Sequence, residues 1–260
     1  MRALTTDQVK ELIINELPQW IETHPELRRR LAEAIVHEAE EPKEKAVPPS
    51  KMTYEEFLAW ADEDTLAEWV NGEVVMYSPA SGKHQDVLDF LVSVLRPFVE
   101  QRELGKVLSA PFQMKLEHGR EPDLIFVAQE HLERLKETYL DGPADLVVEI
   151  TSPESLERDR GGKFAEYEAG GVAEYWLVDP LRRWAEFYQL GEEGRYEITF
   201  IGREGVYHSE TLPGFWLRVE WLWQDPLPAV EEVLLEVGGE VYAHRMIERL
   251  QQHGFLPTEE

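Results

Sequence analysis

Cysteine is absent from the 260-residue chain. That excludes disulfides, thiolate-held zinc and a thiol nucleophile, and it leaves the cytoplasm as the expected location. Long apolar runs are missing as well. No stretch approaches the roughly 18 residues of a transmembrane helix, and the start, MRALTTDQVKEL, lacks the apolar core of a signal peptide. No membrane association is expected. Basic residues are scarce: 26 Lys and Arg stand against 52 Asp and Glu, a formal net charge of −26. Proteins that hold nucleic acid usually carry a basic footprint. This much negative charge repels DNA at long range, and its simplest consequence is solubility.

What is present suits one sizeable core with appendages. Residues 1–46 read as a helical appendage. Thr5–Gln8 and Thr23–Glu26 are two capping boxes, each followed by apolar residues at helical spacing. Glu40–Lys51, EEPKEKAVPPSK, has linker composition. A main domain over 52–224 opens with a third capping box at Thr53–Glu56. Asn71-Gly72 between apolar runs then predicts a tight hairpin. Ser81–Arg102 reads as a helix with a kink or break expected at Pro97. Strands are expected at Lys106–Ser109, Phe112–Leu116, Asp123–Val127 and Leu146–Ile150, with a helix from Gln129 to Lys136. Another helix follows Arg158 and ends at Gly170-Gly171. Strands follow at Glu174–Val178, Trp184–Leu190 and Tyr196–Ile201, and one or two more in Gly205–Trp223. Residues 226–260 form a C-terminal helical segment, with Gly238-Gly239 separating two helices. The fold class is α+β (mixed α/β), a mixed sheet flanked by helices. The apolar-striped helices at each end need a surface to cover, so a homodimer is expected.

The chemistry-bearing stretch is ADLVVEITSPESLERDRGGKF. Leu146, Val147 and Val148 look buried on both faces, so a carboxylate at Glu149 is costly without a partner. A second strand, EPDLIFV, begins with Asp123. Two strand-borne carboxylates could hold Mg²⁺ or Mn²⁺, with the Ile150 carbonyl as a neutral ligand. Lys163, on the helix after Glu149, would orient water or stabilise the transition state of phosphodiester hydrolysis. Arg158 and Arg160 could contact phosphate. Glu68 could supply a third carboxylate, and His84 a substrate contact or proton carrier. Each residue alone also has a plain structural reading: Pro-Asp is common before strands, and Lys163, His84 and Glu68 could be ordinary surface or helix-start residues.

MTYEEFLAW, EWVNGEVVMYSPASGKHQ, EPDLIFV, ADLVVEITSPES, DRGGKFAEYEAGGVAEYWLVDP and LPGF together resemble the Uma2-like restriction endonuclease family, from about Met52 to Trp223. The resemblance implies a restriction-endonuclease-like core of the PD-(D/E)xK type. It also implies Asp123 and Glu149 as metal carboxylates, and nucleic acid, DNA foremost, as substrate. The superfamily pattern puts its lysine two residues after the Glu. Thr151 stands there, and Lys163 on the following helix suits the role in its place. Glu68 and His84 would match the family's accessory acid and histidine. A rival expectation is an interaction or regulatory protein on an inactive nuclease scaffold, motivated by the negative charge and the terminal helices. Fold alone does not separate the two.

Overall fold

The computed structural model describes residues 51–61, 65, 67–76, 80–152 and 155–257. The helices expected within 1–46, and all of the expected linker but Lys51, lie outside them.

The first described elements follow from local sequence chemistry. Helix α1 (Tyr54–Trp60) is opened by a complete capping box: Thr53 Oγ1 accepts from the Glu56 amide at 3.2 Å, and the Thr53 amide donates to the Glu56 carboxylate at 2.8 Å. Strands β1 (Ala67–Val70) and β2 (Glu73–Met76) are joined by Asn71 and Gly72, with φ of 53° and 88°. Both residue types tolerate these angles, as a tight hairpin requires.

Helix α2 (Gly82–Gln101) buries Val87, Leu88, Phe90, Leu91, Val94, Leu95, Phe98 and Val99 on one face. It runs through Pro97 without the break the sequence suggests. The carbonyl that loses its partner belongs to Ser93, an exposed residue. Packing of Val94, Leu95, Phe98 and Val99 on both sides of the proline holds the helix together.

Strands β3 (Gly105–Ser109), β4 (Gln113–Lys115), β5 (Gly119–Arg120) and β6 (Leu124–Ala128) follow. A short 3-10 turn, Gln129–Arg134, replaces the α-helix expected there. None of its residues is fully buried; Leu132 alone within it packs, in part, on the second core, too narrow a face to fix a longer helix. Strands β7 (Tyr139–Asp141) and β8 (Leu146–Ile150) come next. The chain then coils through α3 (Leu156–Arg158), a π-helical turn (Asp159–Lys163) and α4 (Phe164–Gly170). Gly171, at φ 84°, ends the last of these in the left-handed conformation. Strands β9 (Glu174–Asp179), β10 (Trp184–Leu190), β11 (Tyr196–Gly202), β12 (Val206–His208) and β13 (Trp216–Arg218) lead to a 3-10 turn at Val219–Trp223. The final helix is α5 (Val230–Gln252). Two helices meet within it at a kink, where Gly239 is non-helical (φ 57°, ψ −147°), as expected around Gly238-Gly239.

The described strands form three sheets. The largest has the order β11-β10-β9-β8-β6-β3, the second β2-β1-β5-β4-β7, and the third is the β12-β13 pair. Only β8–β9 and β4–β7 are parallel among the described strands. The class is α+β. In β8 the side chains alternate between two cores. Leu146, Val148 and Ile150 join α2 and α5 residues, while Val147 joins Tyr167 and Tyr175. That explains the unbroken apolar run of this strand. Residues of odd number at the ends of β6 and β8 thereby face the second core, under α4.

One buried carboxylate ties the third sheet to the large one. Glu174 is fully buried and accepts from Trp176 Nε1, the Tyr207 and Ser209 hydroxyls and the Thr211 amide, at 2.6–3.0 Å. Removing it strands four donors. Glu174→Ala should therefore lower stability by about 3 kcal/mol or more, read as a lower midpoint in denaturant unfolding.

Candidate active site

The site lies where β6 begins and β8 ends. Leu124 pairs with Val148 across these antiparallel strands. Carrying the register one residue further sets Asp123 opposite Glu149, on the same face of the sheet. Asp123 Oδ2 accepts from the Ile150 amide at 2.6 Å. His84 reaches the same oxygen, its Nε2 lying 3.2 Å away. Ser81 caps α2 by accepting from the His84 amide at 3.3 Å, which fixes the imidazole over the strand ends. Burial would lower the basicity of His84. The hydrogen bond and charge of Asp123, with the Ile150 backbone adding to them, outweigh it and hold the ring above the ordinary imidazole range.

Lys163 is buried, its side chain 3% exposed. Its Nζ donates to Glu149 Oε1 at 2.8 Å and lies 2.9 Å from Glu68 Oε1 and 3.8 Å from Asp159 Oδ1. The Tyr167 hydroxyl donates to the same Glu149 oxygen at 2.7 Å. One ammonium thus faces three buried carboxylates. Burial would depress Lys163, but the charges of Glu149, Glu68 and Asp159 push it well above the usual lysine value. Burial drives Glu149 the other way, up to about 8, against the pull of Lys163 and with Asp159, Asp123 and Glu68 adding to the rise. A site with more acids than bases is one in which a carboxylate readily keeps a proton or takes a further cation.

A second layer holds Glu68. Arg120 NH1 bridges to Glu68 Oε2 at 3.0 Å, and its Nε to Glu166 Oε2 at 2.7 Å. The Glu121 amide donates to Glu68 Oε1 at 3.2 Å, and Gln113 Nε2 donates to Glu121 at 2.8 Å. Burial raises Glu121 to about 7, with Gln113 opposing the rise and Glu68 adding to it.

Asp123, Glu149, Lys163, Glu68, His84 and Ile150 therefore come together. The two arginines stand apart from that centre. Arg160 is ion-paired with Glu186 on β10, and Arg158 Nε lies 3.8 Å from Asp159 Oδ1. Sequence reasoning passed over Asp159, Tyr167, Arg120, Glu166, Glu121 and Gln113. For two of them a signal existed, since Asp159, Lys163 and Tyr167 recur every four residues and so share a helix face. Arg120, Glu121 and Gln113 are joined to Glu68 only by pairing of the second sheet.

The donors around Asp123 and Glu149 are carboxylate and carbonyl oxygens, which suit a hard cation such as Mg²⁺ or Mn²⁺. Among the described residues no three His, Asp or Glu side chains are gathered into a ready-made cage. Two carboxylates suffice for magnesium when waters and substrate oxygens complete its shell. Glu149 Oε1 is taken by Lys163 and Tyr167, but no hydrogen bond among the described residues engages Asp123 Oδ1.

A mixed β-sheet flanked by helices, with carboxylates at adjoining strand ends and a lysine above them, defines a nuclease-like fold. The Uma2 family model, described as "Putative restriction endonuclease", matches residues 54–220. The chain belongs to that family. Among solved structures it is similar to a protein from Anabaena variabilis described as a putative nuclease of the DUF820 group. The TM-score is 0.56 at 18% sequence identity, over 66% of this chain and 97% of the other. At that identity the likeness concerns the fold. No curated protein matches the chain. No helix among the described residues is long and apolar enough to cross a membrane.

The raised carboxylates set a pH dependence. Burial pushes Glu149 up to about 8 and Glu121 up to about 7, from the ordinary 4.5 of the unfolded chain. The folded state binds more protons in between, so stability is lost as pH rises through that window. His84, also raised, acts in the same direction. The thermal midpoint of the metal-free protein should fall between about pH 5 and about pH 8. Glu149→Gln should flatten that slope, as measured by calorimetry across the pH range.

Proposed function

We propose that this protein is a Mg²⁺- or Mn²⁺-dependent endonuclease hydrolysing phosphodiester bonds of nucleic acid, DNA before RNA. The observation that carries this reading is the placing of Asp123 and Glu149 at facing strand ends, with Lys163 Nζ 2.8 Å from Glu149. Asp123, Glu149 and the Ile150 carbonyl would hold the cation, which when bound neutralises phosphoryl charge and acidifies water. Lys163 orients the attacking water and the phosphate beside it. Glu68, anchored by Arg120, holds Lys163 in place. His84 touches the substrate or passes a proton to the departing oxygen, while Asp123 keeps its ring in position. Arg158 and Arg160, at the edge of the site, contact flanking phosphates; Arg160 must leave Glu186 to do so.

A cation-bridged site also answers the charge of −26. Long-range attraction cannot bring DNA in, so binding relies on the cation and a few arginines, and with so few phosphate contacts it weakens only gradually with salt. We assign the protein to the cytoplasm and expect two copies to pair, because Leu235, Val241 and Ile247 of α5 and Phe255 beyond it are exposed. Light scattering should report a dimer, and a monomer at high concentration would overturn that assembly.

Cleavage of plasmid and single-stranded DNA should require Mn²⁺ or Mg²⁺ and stop with EDTA. Asp123→Ala and Glu149→Ala should each lose at least about a hundredfold in rate. Wild type that cleaves no faster than these variants would sink the enzymatic reading for those substrates.

A further inference from the structure

Asp159 is a buried acid that the roles above leave unused. It is 1% exposed, its Oδ1 makes no hydrogen bond, and that atom lies 3.8 Å from Lys163 Nζ. An unbonded carboxylate oxygen in a dry site costs free energy and calls for a reason. The backbone around it is irregular too. The turn from Asp159 to Lys163 is π-helical, a geometry that recurs at functional sites. Tyr175 donates its hydroxyl to the Asp159 carbonyl at 3.1 Å and so steadies that widened turn from below. Gly161 and Gly162, inside it, have nothing within 4 Å of where a Cβ would stand. Close packing does not demand them.

Lys163 now leans on Glu149 and Glu68. Binding of a divalent cation through Glu149 would draw that carboxylate's charge away and repel the ammonium. Lys163 then needs another counter-charge within reach, without leaving the site. Asp159 Oδ1 makes no hydrogen bond and lies about 1 Å beyond hydrogen-bond length from Lys163, its other charged neighbour being Arg158 Nε at 3.8 Å. We propose that Asp159 is a positioning residue onto which Lys163 shifts when Glu149 turns to a divalent cation, so that the lysine stays charged and aimed at the substrate. This role rests on the metal-dependent reading above. It makes Lys163 a group with two seats: on Glu149 in the metal-free protein, and on Asp159 in the loaded one.

The full chain titrated calorimetrically with Mn²⁺ tests it. Asp159→Asn should weaken binding about tenfold, because Lys163 stays on Glu149 and competes with the cation. Adding Lys163→Met to Asp159→Asn removes the competitor, and affinity should return to that of Lys163→Met alone. An equal loss with and without Lys163 would make Asp159 a ligand and overturn the positioning role, as would an unchanged affinity in Asp159→Asn. A second readout does not depend on Lys163→Met folding. The Lys163 ammonium resonance in heteronuclear NMR should move on adding Mg²⁺ to wild type and stay put in Asp159→Asn; a resonance indifferent to Mg²⁺ in wild type overturns the shift. Wild type that binds neither cation would instead remove the metal reading itself, whatever Asp159 does.

Discussion

A single ammonium held among carboxylates organises this molecule. Lys163 is buried at 2.8 Å from Glu149 and 2.9 Å from Glu68. Those two acids come from different sheets, Glu149 from the large one and Glu68 from the second. The lysine comes from the helical segment between β8 and β9. The ion pair therefore fastens three layers at one point. Taken singly, each of these charges would be expensive to bury. Together, with Arg120 on the other Glu68 oxygen and Tyr167 sharing Glu149 Oε1 with Lys163, they form a network whose members depend on one another.

That network is built with an imbalance. Around Lys163 there are more acids than bases, and burial raises Glu149 while the same acids raise Lys163. A fold optimised only for stability would replace such a group with apolar side chains of similar volume. Strain of this kind, an unbonded Asp159 oxygen and a π-helical turn all fall within a few residues of one another. Their concentration at one edge of the sheet coincides with the candidate site. Elsewhere the structure is conservative: Glu174, equally buried, has a donor for each of its lone-pair directions and sits in the frame of the fold.

The local chemistry of the chain was legible in the residues. The capping box at Thr53, the Asn71-Gly72 hairpin, the apolar face of α2 and the left-handed stop at Gly171 all follow from neighbouring side chains and appear where the pattern puts them. Local rules failed where packing overrides them. Pro97 signals a break, but buried neighbours on both sides carry the helix through it. Gln129–Lys136 has a helix-like composition, yet with only Leu132 and Leu135 packed, in part, against the second core it forms a 3-10 turn. The short strands β5 and β7 left no periodic trace, because two or three residues cannot show one.

The same division runs through the site. The sequence alone determined the fold class and two carboxylates at strand boundaries. It also determined a lysine on the next helix, since burial pattern and residue type are local properties. Tertiary structure alone decided that Glu68 shares Lys163 with Glu149, that Arg120 and Gln113 stand behind Glu68, and that Arg160 faces Glu186 rather than the centre. The pairings of Glu68 with Lys163 and Arg120, and of Arg160 with Glu186, join residues 26 to 95 positions apart in the chain, and their partners are chosen by sheet order and strand register. No one-dimensional spacing encodes that choice, because each base in so acidic a chain has several acids of equal chemistry to choose from.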